Sequence, residues 1–183
     1  HSFPTRRSSD LIISGIVIAF VAAILLNTLS AGLVFIQPQE RGVVISAIAP
    51  RGYRDQPLQP GLRWVIPYAE TVKTYSISKM TYTMSISHGE GQITGDDSIS
   101  ARTSDGQEVI IDASVIFAID PEKVMDVHIT WQDRYIDDLI RPSVRGVIRE
   151  AVAQFRVNEV YSTKRSQLTD LIQEDLGSVF QEN

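Results

Sequence analysis

An apolar run from Leu11 to Ile36 leads directly into Pro38-Gln39-Glu40-Arg41-Gly42-Val43-Val44, with almost no linker between them. As a helix the run would reach about 39 Å, against about 30 Å for the hydrocarbon core of a bilayer. Ser14 is its only polar side chain before Asn27. Asn27, Thr28 and Ser30 dilute the second half, and Ser30-Ala31-Gly32 has the small-residue character of a signal-peptide cleavage region. Leu33-Val34-Phe35-Ile36 then resumes the apolar character, which favours a retained transmembrane anchor over residues 11–36. Asn27 sits off-centre, where it can hydrogen-bond a neighbouring helix. Whatever follows is therefore tethered close to a membrane by its N-terminal side.

The first ten residues, HSFPTRRSSD, resemble a translated sequencing-adaptor oligonucleotide and are set apart from the fold as a non-native segment. The alternative is a genuine basic n-region. The distinction matters because Arg6 and Arg7 are the only basic residues before the apolar run, so without them charge asymmetry gives no orientation. The chain is also expected to continue past Asn183, which ends a helical pattern. Formal net charge is −5. An acidic domain of this kind is poorly suited to nucleic acid, which needs basic patches, and no nucleic-acid partner is expected. There are no cysteines, so disulfides, thiolate metal sites and cysteine nucleophiles are excluded.

Beyond the anchor the chain reads as strands first and helices second, an α+β class with an antiparallel sheet and C-terminal helices. Val43–Ile48, Leu62–Pro67 and Thr71–Ser78 are short strands punctuated by Gly52, Pro57, Pro60 and Gly61. Met80, Tyr82, Met84 and Ile86 alternate with Thr81, Thr83, Ser85 and Ser87, predicting one half-buried antiparallel strand. A polar, Gly-rich loop follows over 88–97. Asp105-Gly106 between Ser98–Thr103 and Gln107–Ile119 predicts a hairpin with a primed turn. Asp120-Pro121-Glu122 predicts a helix start, with Asp120 as N-cap. A longer helical pattern runs from Trp131 to Phe155, its stripe formed by Ile136, Leu139, Ile140, Val144, Val147, Ile148, Ala151, Val152 and Phe155, with Pro142 expected to kink or divide it. Ser162 or Thr163 can cap a last helix whose face carries Leu168, Leu171, Ile172, Leu176, Val179 and Phe180.

No catalytic constellation stands out, and no metal or cofactor is expected. His88 and His128 lie far apart in sequence, in a polar loop and near a helix end. Asp96-Asp97 lacks the ligand alternation of a calcium loop and reads as a solvated acidic turn. Serines are plentiful, but no Gly-x-Ser-x-Gly elbow is present. Gly89, Gly91 and Gly95 form no phosphate fingerprint, since no apolar strand leads into them and no helix follows.

Several segments, in order, resemble the SPFH superfamily of stomatins, prohibitins, flotillins and HflK/HflC proteins. They are Glu40-Arg41-Gly42-Val43-Val44 after the anchor, Pro60-Gly61-Leu62-Arg63-Trp64-Val65-Ile66-Pro67, Thr103-Ser104-Asp105-Gly106-Gln107-Glu108-Val109, and Ala118-Ile119-Asp120-Pro121-Glu122. Ile140 to Phe155, IRPSVRGVIREAVAQF, is most similar to the prohibitin and HflK/HflC branch. The resemblance implies an SPFH domain over 38–160 and the start of a C-terminal helical region over 161–183, the family's long coiled coil being absent from the sequence. It implies a non-enzymatic, membrane-anchored scaffold that assembles as homo- or hetero-oligomers, organises membrane lipid, and modulates a membrane-bound FtsH-type AAA protease, with the domain outside the cytoplasm. A membrane-tethered ligand-binding ectodomain, or an accessory subunit of a membrane enzyme, is the alternative. Arg141, Arg145 and Arg149 form an i, i+4, i+8 stripe. They are either a solvated face worth tenths of a kcal/mol per local pair (about 0.2–0.5), or a lateral interface meeting Asp133, Asp137 and Asp138 of an adjacent subunit.

Overall fold

The computed structural model describes residues 8–87 and 89–182, with side chains from residue 13 onward. The ten-residue N-terminal segment and His88 therefore lie mostly or wholly outside the described residues. The chain divides into two compact units, residues 1–76 and 77–183.

The first unit opens with helix α1 (Ser8–Ala31). Its described side chains are apolar nearly all round and almost all exposed, so no face of it is covered by protein. Residues 13–31 are long and apolar enough to cross a membrane. Two of its hydroxyls turn inward: Thr28 Oγ1 donates to Ile24 O at 3.0 Å and Ser30 Oγ to Asn27 O at 2.9 Å, which hides their polarity on the helix's own carbonyls. The apolar run does not continue as one helix to Ile36. Leu33–Ile36 form strand β1, antiparallel to β3 (Gly61–Trp64). The break is at Gly32, whose carbonyl accepts Val65 N–H at 2.8 Å. A Cβ there would lie 2.3 Å from Val65 O and 2.6 Å from Trp64 Nε1, so only glycine fits.

Strand β2 (Glu40–Ser46) pairs antiparallel with β4 (Glu70–Ser76) over seven residues. Among the described residues, Ile36, Val43, Val44, Val65 and Tyr75 are the buried apolar side chains of this unit. The intervening loop is fixed by Arg54, which donates Nε to Glu70 Oε1 at 2.9 Å and Nη2 to Oε2, while Ile66 N–H reaches the same Oε2 at 2.8 Å. Burial opposes ionisation of Glu70, but Arg54 and the Ile66 amide outweigh it and hold the carboxyl below its ordinary range.

The second unit is a two-stranded ribbon against helices. Strand β5 (Met80–Met84) pairs with β8 (Ala113–Phe117), and β6 (Ile99–Arg102) with β7 (Glu108–Ile111). Only Asp112 separates β7 from β8, whereas 85–98 separate β5 from β6. One strand of the ribbon is thus nearly continuous, and the other makes a loop excursion. The loop's base is closed by Asp97 N–H to Ser85 O at 3.0 Å. Asp112 accepts Ser85 Oγ at 3.2 Å and Ile86 N–H at 3.0 Å. The alternation expected through Ser87 therefore stops at Met84, and Ile86 is exposed.

The 103–107 turn differs in type from the primed turn expected. Of Ser104, Asp105 and Gly106 only Gly106 has positive φ, at 81°. Gly106 N–H bonds Thr103 O at 2.9 Å, the geometry of a three-residue loop with glycine at its left-handed position. Asp120 also acts differently from expectation. Its Oδ1 accepts Glu122 N–H at 2.9 Å in a side-chain turn, and α2 begins later, spanning Val124–Thr130. The Trp131–Phe155 pattern is divided into a 3-10 turn (Gln132–Arg134), a π turn (Ile136–Ile140) and α3 (Arg141–Ala153), with Pro142 in the first turn of α3, where its missing N–H is harmless. Neither Ser162 nor Thr163 caps α4 (Arg165–Glu182), because Glu159–Thr163 form a π turn and Ser162 Oγ bonds back to Asn158 O.

The core of this unit joins Tyr82, Met84, Ile99, Ala101 and Val109 of the ribbon to Ile140, Val144, Val147, Ile148, Ala151 and Val152, and to Leu168 and Leu176 of α4. Ile136 and Phe155, and Leu171, Ile172, Val179 and Phe180, pack around it, so both expected stripes face inward except at Leu139, which is half-buried and not part of this core. Phe117 and Tyr135 meet edge to face at 6.4 Å.

Candidate functional site

Arg141, Val144, Arg145 and Ile148 share one face of α3, at i, i+3, i+4 and i+7. Because Val144 and Ile148 face the core, the two arginines flank it and do not point away from it. They meet Asp97, whose side chain is fully buried. Arg141 Nη2 and Arg145 Nη2 both donate to Asp97 Oδ1, and Arg145 Nη2 also reaches the Asp97 carbonyl at 2.7 Å. Tyr82 OH lies 3.4 Å from Oδ2. Arg149 Nε donates to Ser100 O at 3.0 Å, continuing the stripe along the ribbon.

Burial opposes a charge on Asp97, but the two guanidinium bonds win and its carboxyl is held below the usual range. The Arg141 guanidinium is correspondingly raised, chiefly by its bond to Asp97. Burial, then the Asp97 charge, pushes the Tyr82 phenol up. A carboxylate already held by two guanidiniums and a phenol is a poor base and a poor metal ligand. The cluster is an electrostatic lock that fixes the 85–97 loop to α3.

This corrects the reading of Asp96-Asp97 as a solvated acidic turn. Asp96 is exposed and accepts Ser98 N–H and Oγ, whereas Asp97 is buried. The one sequence signal was the stripe, since Arg141 and Arg145 border the apolar face of α3, within reach of a carboxylate from another element. Nothing in the polar 88–97 segment marks Asp97 over Asp96.

Of the expected lateral residues, Arg141 and Arg145 keep 35% and 22% side-chain exposure. Arg149 is exposed, as are Asp133, Asp137 and Asp138. Asp138 pairs with Arg134, four residues earlier, at 3.2 Å. Asp137 borders a cleft of about 250 Å³ with Arg141, Pro142 and Arg145, so the structure brings Asp137 to the two arginines inside one chain. Among the described residues no group of three His, Cys, Asp or Glu side chains is placed to hold a metal ion. His88 lies outside the described residues.

The second surface of note is in the first unit. Leu33 faces Trp64, and Phe35 faces Leu62, across the β1–β3 ribbon. These four side chains are 44–65% exposed, while the alternate Ile36 is fully buried. One face of the ribbon is therefore apolar and uncovered. It is fastened to the end of α1 by Trp64 Nε1–H to Leu29 O at 3.1 Å and by the Gly32–Val65 bond.

No curated protein matches the chain. A sequence model of the SPFH domain / Band 7 family matches residues 34–182, most of the chain, and the protein belongs to that family.

Proposed function

We propose that this protein is a membrane-anchored subunit of an oligomeric scaffold, of the prohibitin or HflK/HflC branch, that organises the lipid around it and modulates an FtsH-type AAA protease. Members of the family commonly act as membrane scaffolds, and they typically oligomerise. The observation that carries the reading is the uncovered apolar surface that runs from α1 into the β1–β3 ribbon. An all-round apolar helix is stable only when something apolar surrounds it. The ribbon adds Leu33, Phe35, Leu62 and Trp64 at the end of that helix, with tryptophan where an aromatic side chain favours the membrane–water boundary. Lipid satisfies both surfaces at once.

The domain works outside the cytoplasm in this reading. Lateral contacts between subunits fall on Asp133, Asp137, Asp138 and Arg149, together with the guanidinium edges of Arg141 and Arg145 that Asp97 leaves uncovered. Each contact is weak, and confinement in the membrane plane raises the effective concentration enough for weak contacts to suffice. Scaffolding, not catalysis, is the activity.

The test is extraction followed by cross-linking. After carbonate washing the chain remains in the membrane pellet, and amine-reactive cross-linking of those membranes gives a ladder of high-order species. Release into the supernatant overturns the anchor, and a cross-linked product no larger than one chain overturns the scaffold.

A further inference from the structure

We propose that the outer edge of β7–β8 and helix α4 together form a docking groove for an extended segment of a partner protein, which binds by adding a strand to the ribbon. The groove, of about 850 Å³, lies wholly within the second unit and does not depend on the membrane reading. Residues 110 to 116 line it in unbroken succession. Side chains of a strand alternate between faces, so a groove touching every residue runs along an edge, not over a face. Leu168, Ile172, Leu176 and Phe180 of α4 form the opposite wall, and Ile148 and Val152 the floor.

The backbone says what kind of occupant fits. Thr103 N–H bonds Gln107 O at 2.9 Å, which makes that pair and every second pair after it the hydrogen-bonded ones. Glu108 and Ile110 then turn their N–H and C=O away from β6. Among the described residues no backbone group of 108–117 bonds to another backbone outside its own ribbon partner. An apolar side chain or a lipid tail cannot satisfy such groups, whereas an extended peptide can.

The edge also lacks the usual protection. It has no lysine and no proline, and Asp112 spends its carboxylate on Ser85 and Ile86. Ile110 and Ile116 are 58% and 67% exposed. From 110 to 116 the edge is about 20 Å long, enough for six or seven residues of extended chain.

Charge adds a preference. Arg165, exposed at the groove, forms no ion pair among the described residues. The occupant is therefore an extended segment with alternating apolar residues and a carboxylate at the Arg165 end.

The full chain in lipid nanodiscs is titrated with a fluorescein-labelled octapeptide that alternates valine and threonine and carries a glutamate at each end. Saturable binding is expected. N-methylation of alternate peptide amides lowers affinity at least tenfold, and exchange of the Ile110 amide slows on binding. Arg165→Glu weakens this probe about tenfold and a glutamine-ended probe less than twofold, with an unchanged circular dichroism spectrum. The absence of saturable binding overturns the proposal. Equal binding of the N-methylated probe also overturns it, by showing apolar adsorption alone. So do disulfide-linked dimers of Ile116→Cys whose formation is not suppressed by probe added before oxidation, which assign the groove to a second copy.

Discussion

Replacing Asp97 with alanine isolates the lock between the 85–97 loop and α3. The side chain is fully buried and accepts from Arg141, Arg145 and Tyr82. Removing one member of a buried ion pair costs roughly 3–5 kcal/mol, because the partner's charge is left uncompensated. Here the arginines keep 35% and 22% exposure and rehydrate in part, so the lower end applies, about 3 kcal/mol. Asp97→Asn keeps the shape and one acceptor and costs less, about 2 kcal/mol. Urea titration of the full chain in detergent micelles, followed by far-UV circular dichroism, gives the loss. Adding Arg141→Ala to Asp97→Ala costs less than the sum of the two, since the second change removes a charge that the first has orphaned. The pH dependence has a fixed sign. The folded carboxyl lies below its unfolded value, so its stabilisation is complete above about pH 4 and fades as pH falls through the folded value. A loss below about 1 kcal/mol for Asp97→Ala, or strict additivity with Arg141→Ala, refutes the lock.

Gly106→Val forces a β-branched residue into φ near 81° and destabilises the hairpin by about 1–3 kcal/mol, read from the same urea midpoints. Gly32→Val drives a side chain into Val65 O and the Trp64 ring, and hydrogen exchange at the Val65 amide rises as β1 detaches from the helix end. Glu70→Gln removes the charge that Arg54 requires, and limited proteolysis in the 47–60 loop accelerates; the wild-type loop gains the same sensitivity as pH falls through the depressed Glu70 value.

Where side chains report their surroundings along the chain, the sequence was readable. The stripes of α3 and α4 face inward because apolar residues at helical spacing have one place to go, and Tyr82 and Met84 alternate into the core for the same reason in a strand, with Met80 half-buried beside Tyr135. What could not be read depends on partners distant in sequence. Leu33–Ile36 extends an apolar run, and only its pairing with Gly61–Trp64 makes it a strand. Asp105-Gly106 marks a turn, but nothing nearby shows that Ser104 N–H bonds Phe155 O at 2.8 Å and Val157 N–H bonds Asp105 Oδ1 at 3.2 Å, which tie the turn to the chain just after α3. Asp97 and Asp96 are neighbours of identical type, separated only by arginines 44 and 48 residues downstream.

The two bonds at the end of α1, Trp64 Nε1–H to Leu29 O and Val65 N–H to Gly32 O, leave no slack between the helix and the ribbon that follows it. Hydrophobic helices tilt when a bilayer is thinner than their apolar length. With a flexible linker such a tilt would be lost at the headgroups. In the membrane-anchored reading proposed above, these two bonds would couple the last turn of the helix to the first strand pair, so that a change in bilayer thickness would become a change in the pitch of β1 and β3 at the surface.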